Sequence, residues 1–165
     1  MSVALQAQAI DVATEYARLV GDAPGAAVAT FTGYVRDHTD QQAVTELALE
    51  HYPEMAQKVL DELGHAAAER FQLSQWRIVH RYGVLGVSET IVWVGAVADH
   101  RGEAISACEF MMDSLKTDAP FWKREQRLTG EQWVTSRDSD NARRARWQSV
   151  DCLLYTSDAA DELRS

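Results

Sequence analysis

Two of the chain's three lysines, Lys116 and Lys123, fall within one short stretch, Leu115 to Glu125, which reads Leu-Lys-Thr-Asp-Ala-Pro-Phe-Trp-Lys-Arg-Glu. The chain also has thirteen arginines, so lysine is scarce and its pairing here is notable. A desolvated amine loses its proton and then serves as a nucleophile or proton carrier; a guanidinium cannot. The alternative reading is a helix C-terminus whose basic residues answer the dipole, followed by an amphipathic strand. The stretch alone does not choose between them.

Other basic residues gather at the ends of apolar segments. Arg36 and His38 follow the first strand-like run, and His51 ends the second. His80 and Arg81 lie within the third, His100 and Arg101 follow the fourth, and Lys123 and Arg124 share the run after Lys116. In a chain of net charge −9, this placement fits a local pocket for an anion such as a phosphate monoester. Taken singly, each reads first as an ordinary surface residue; only the collection sets the two readings level. His80-Arg81 is the weakest pair, because neighbours on a strand face opposite sides and one of them can be a satisfied core group. His100-Arg101 is stronger: a strand-to-helix junction offers backbone donors beside a guanidinium. Cys108, among apolar neighbours, reads as a buried structural thiol. No Ser-His-Asp spacing, phosphate-binding loop, dinucleotide turn or two-histidine zinc helix is present. Amine and anion chemistry remain.

The elements that must position these residues fit one domain of 165 residues. An acidic chain of this kind lacks the basic face of a nucleic-acid binder. No apolar run is long enough to span a membrane and no signal peptide opens the sequence. Cys108 and Cys152 form neither a disulfide framework nor a metal-ligand spacing. A cytoplasmic, reduced protein with no metal and no cofactor is expected. Residues 151–165 are set apart as a non-native read-through tail, because the run from Cys152 to Glu162 resembles the in-frame translation of a sequencing adapter. The tail holds four acids and one arginine, so the charge without it is −6.

Within residues 1–150, Asp11 is expected to cap a helix over 12–20, which Gly21-Asp22-Ala23-Pro24-Gly25 ends. Strands are expected over 26–35 and 44–51, separated by a mobile polar loop at 36–42. A helix starts at Pro53 with Met55, Val59, Leu60, Leu63, Ala67 and Phe71 on its apolar stripe. A third strand covers 76–84, broken by Gly83 and Gly86. The fourth, 89–98, is apolar on both faces and therefore central. A helix over 103–115 buries Ala104, Ala107, Cys108, Met111 and Leu115, widened by Ile105, Phe110 and Met112. A hairpin over 121–128 and 132–135 and a last helix from Asp138 or Ser139 through Trp147 complete a single α+β domain. Its sheet is expected to be mostly antiparallel, with helices packed on it.

Five motifs, in order, resemble the large, catalytic subunit of molybdopterin synthase, the MoaE family. They are Phe31-Thr32-Gly33-Tyr34-Val35-Arg36, Leu49-Glu50-His51-Tyr52-Pro53-Glu54-Met55, Val79-His80-Arg81-Tyr82-Gly83, His100-Arg101, and Met112 through Glu125. The resemblance covers residues 25–147. It implies a hammerhead-type α+β fold and a homodimer, with a small ubiquitin-like subunit of MoaD type on each protomer, forming a heterotetramer. That partner would bring a C-terminal Gly-Gly thiocarboxylate, whose sulfur is transferred to cyclic pyranopterin monophosphate (precursor Z) to build the molybdopterin dithiolene. By resemblance, Lys116 and Lys123 are catalytic, and Tyr34, Val35, Arg36, His100, Arg101, Lys116, Lys123, Arg124 and Glu125 bind substrate.

The residues agree in one respect: no cysteine is placed to carry sulfur and no Gly-Gly-terminated segment is present, so a donor would come in trans. Two departures stand out. Tyr34 occupies a variable position, often lysine, and Ser88-Glu89 replaces a more usual glycine-acid turn. A non-catalytic scaffold binding an anionic pterin or nucleotide, and a phosphate-ester hydrolase using His100, are the competing readings. Binding alone would tolerate arginine at both lysines, which counts against the scaffold.

Overall fold

The computed structural model describes residues 1–21 and 25–149. The expected helix stop at 22–24 and the tail at 151–165, with Cys152, lie outside the described residues. In chain order the elements are β1 (Ser2–Gln6), α1 (Val12–Val20), β2 (Ala27–Tyr34), β3 (His38–Thr39), β4 (Gln42–His51), α2 (Pro53–Phe71) and β5 (Gln75–Arg81). They continue with β6 (Gly83–Gly86), β7 (Thr90–Ala98), α3 (Arg101–Thr117), β8 (Phe121–Arg127), β9 (Gly130–Val134) and α4 (Asp138–Ser149). Among the described residues no helix is long and apolar enough to cross a membrane.

β7 is apolar on both faces because both are covered. It lies inside a four-stranded sheet of order β1-β5-β7-β2, antiparallel except where β1 runs parallel to β5. On one side Val94 and Ala96 join Leu60, Ala67, Ile78, Ala107, Met111 and Trp147, under α2, α3 and α4. On the other, Trp93 and Val97 pack with Ile10, Val79 and Leu19 of α1. Gly64 of α2 has to be small, since a Cβ there would come within 2.2 Å of the Trp76 ring. Asp11 caps α1, accepting from the Ala13 and Thr14 amides, and Pro53 opens α2.

A second, antiparallel sheet has the order β3-β4-β8-β9, with β6 also pairing with β4. The single strand expected over 76–84 is therefore two strands in two sheets. The chain passes between them at Tyr82-Gly83, where Gly83 takes φ 88°, a conformation open to glycine at little cost. The loop expected at 36–42 contains β3, joined to β4 through Asp40 (φ 50°) and Gln41 (φ 64°). Positive φ at both central residues is the geometry of a two-residue hairpin turn. β1 pairs with residues some 75 positions away, a partnership that leaves no local mark in the sequence. Met55 and Ile105, expected in apolar stripes, are more than half exposed. The architecture is a single α+β domain with mostly antiparallel sheets.

Candidate active site

Where α3 ends between the two sheets, the chain encloses a cavity of about 580 Å³. Three local features bring the scarce lysines into it. Lys116 lies in the last turn of α3, where a cation is favoured by the helix dipole. Pro120 separates the helix from β8, whose alternation then sends Phe121, Lys123 and Glu125 to the cavity. β2 ends at a register shift between Gly33 and Tyr34, and the chain continues along the rim as Tyr34, Val35 and Arg36. Val35 is buried and fixed by backbone bonds in both directions: its amide donates to Glu89 O, and its carbonyl accepts from Ser88 N, each at 2.9 Å. Ser88 takes the left-handed conformation (φ 67°) that a glycine would favour, so the departure at this turn leaves the Val35 contacts in place.

Lys123 is the more enclosed amine. Burial, then the neighbouring charges of Lys116 and Arg36, lower its pKa, while Asp140 acts in the opposite direction. The Glu125 carboxylate already has protein partners. It accepts Thr39 Oγ1 at 2.8 Å and Arg127 Nε and Nη2 at 2.9 and 2.7 Å, and Arg127 Nη1 reaches Gln42 Oε1 at 3.0 Å. The buried carboxylate ties β3 and β4 to β8 and so shapes the wall beneath Lys123.

The cavity thus collects Tyr34, Val35, Arg36, Lys116, Lys123 and Glu125. Three other residues expected in the site lie elsewhere in the protomer. Arg124 points to the opposite face of β8, paired with Glu131 at 2.5 Å and over the Trp133 ring. His100 is the N-cap of α3 and Arg101 its first residue, about 22 Å along the helix from Lys116 at 1.5 Å per residue. Both are exposed.

Two contributors stand outside the expected set, the entry to α4 and His80. Arg137, Ser139 and Asp140 line the cavity from the entry to α4, and Arg137 reaches Asp40 of the β3–β4 turn at 3.4 Å; no spacing rule marks a loop residue of this kind. His80, half of the weakest pair, lines the cavity, whereas Arg81 is the satisfied core group, donating to Glu89, Thr90 O and Ala7 O. Cys108 is buried and its thiol is pushed up to about 11 by burial, then by Glu109, as befits a structural thiol.

A family model described as "MoaE protein" matches residues 5–118. The chain is 47% identical over 141 residues to the molybdopterin synthase catalytic subunit of Yersinia pestis, covering 86% of this chain and 93% of that one. Its fold is similar to the molybdopterin biosynthesis MoaE protein from Burkholderia ambifaria, with TM-score 0.77 and 42% identity over 89% of this chain and 97% of that chain. It is also similar to molybdopterin synthase from Staphylococcus aureus, with TM-score 0.72 and 28% identity over 81% and 95% of the two chains. The chain belongs to the MoaE family.

Proposed function

We propose that this MoaE-family chain is the catalytic subunit of a molybdopterin synthase. It takes sulfur from the C-terminal thiocarboxylate of a small ubiquitin-like partner and places it on cyclic pyranopterin monophosphate. The observation that carries the reading is the convergence of Lys116, Lys123 and Arg36 on one cavity, while the one thiol among the described residues, Cys108, is buried. The cations offset the phosphate and the negative charge that grows as the thiocarboxylate sulfur attacks a pterin carbon. Lys123, its pKa lowered by burial and by its cationic neighbours, is the amine better suited to exchange a proton. Lys116, exposed at the helix end, meets the incoming tail.

His100 and Arg101 enter this scheme only through a second copy. At the far end of α3 they are out of reach of their own cavity, so in a homodimer they serve the partner's. Arg124 acts from outside, holding β9 to β8 through Glu131. A cytoplasmic location suits the reading, since a reducing compartment preserves both thiocarboxylate and free thiol.

The test is to combine the protein with thiocarboxylated small subunit and the cyclic pterin phosphate. Dithiolene product supports the synthase. Binding without turnover supports a scaffold, and phosphate release without the partner supports a hydrolase; either overturns the proposal.

A further inference from the structure

His80 stands in the cavity wall, 5% exposed, near the end of β5. Its Nδ1 lies 2.8 Å from the Arg81 carbonyl oxygen. A carbonyl only accepts, so Nδ1 carries the proton and Nε2 of the neutral ring presents a bare lone pair. Stacking on Phe121, with centroids 4.0 Å apart and planes at 13°, fixes the ring. Burial above all, with Lys123 and His51 adding to it, holds the imidazole pKa at about 4, so the ring is neutral under ordinary conditions.

Nε2 has no partner among the described residues, yet it is not sealed in the way Trp76 Nε1, Trp93 Nε1 and Ser114 Oγ are. The His80 side chain lines the cavity, and Nε2 is the ring nitrogen that the Arg81 carbonyl leaves available to it. The neighbouring charged groups there are donors: Lys116, Lys123, Arg36 and Arg137. Of the two carboxylates in the lining, Glu125 is taken up by Arg127 and Thr39, and Asp140 faces the Arg137 amide at 3.4 Å. A buried lone pair repels phosphate and thiocarboxylate and selects an N–H.

We infer that His80 is a ligand-binding residue of this cavity, its Nε2 accepting a hydrogen bond from an N–H on the pterin ring edge. The phosphate then turns to the cations and the donor edge of the ring to His80, which sets the orientation of the ring for sulfur attack. This rests on the reading that the cavity takes a pterin phosphate.

Three variants test it in the reconstituted enzyme with thiocarboxylated partner. His80→Phe keeps the stack on Phe121 and loses the acceptor. His80→Asn keeps a donor for the Arg81 carbonyl and withdraws the acceptor from the cavity. His80→Gln restores an acceptor at the distance of Nε2. The KM for the pterin rises about tenfold in H80F and H80N, the cost of an unanswered buried donor. The kcat changes less, and H80Q returns KM to within about threefold of the unmodified protein, about half the free energy of the tenfold loss. A KM unchanged in H80N, or an equal loss in H80N and H80Q, overturns the inference. Should H80F fail to fold, the H80N and H80Q pair still decides. Failure of the unmodified protein to make dithiolene would instead reject the sulfur-transfer reading itself.

Discussion

At the scale of single residues, Lys123 and His80 are governed by the same physics: burial penalises their charged forms. For Lys123 the proposed consequence is catalytic. Lys123→Arg keeps the charge and removes the proton exchange, and should lower kcat/KM about a hundredfold, within the usual range for loss of a general acid or base. In the unmodified protein, activity should rise with pH as the lowered amine deprotonates; the arginine variant should lack that limb. For His80 the consequence is stability. Its pKa is about 4 in the fold against an ordinary 6.5, so the unfolded chain binds the extra proton first as pH falls. Stability is fully present above pH 6.5 and is lost progressively down to about pH 4, by an amount on the order of 3 kcal/mol. Urea melts across that window should show the loss, and His80→Phe should flatten it.

The lysines were legible because scarcity is visible in sequence. So in principle was the separation of Lys123 from Arg124, since successive strand residues face opposite ways. The lone pair of His80 was not, because it depends on a carbonyl that fixes the tautomer.

At the scale of elements, β7 was legible from composition alone: only a strand covered on both faces reads Ile-Val-Trp-Val-Gly-Ala-Val. The start of α1 followed from Asp11 and its end from Gly21. By contrast, β1 leaned on a partner distant in sequence, and β3 on a hairpin turn whose Asp40-Gln41 lacks the glycine that usually announces positive φ. The passage from β5 to β6 was marked by Gly83, but a glycine does not say that the next residues join another sheet. Two changes test how these elements hold the cavity. Gly64→Ala drives a methyl into Trp76 and should cost about 3 kcal/mol by denaturant melt, the upper part of the range for overpacking. Glu125→Gln leaves Arg127, 7% exposed, without its counter-charge. It should cost about 3 kcal/mol and loosen the β3–β4 hairpin, read as faster amide exchange at Thr39 to Val44.

At the scale of the whole molecule, the single chain accounts for one set of expected residues and displaces another. Lys116, Lys123 and Arg36 share a cavity; His100 and Arg101 stand at the opposite end of α3. Sequence order placed all five in one motif set, and no one-dimensional signal tells a residue that serves its own pocket from one that serves a neighbour's. A symmetric dimer reconciles them and gives a sharp expectation. Lys116→Ala protein and His100→Ala/Arg101→Ala protein should each be inactive alone. Mixed to form heterodimers, they should recover about a quarter of full activity, because half the dimers are mixed and each of these carries one intact pocket. No recovery would mean that all these residues act within one protomer.

The central claim is that the Lys116–Lys123 cavity performs sulfur transfer. The most direct measurement is dithiolene formation from thiocarboxylated partner and cyclic pterin phosphate, comparing the unmodified protein with Lys116→Ala at matched thermal stability. The account predicts partner-dependent product from the former and none from the latter; product from Lys116→Ala at the unmodified rate would contradict it.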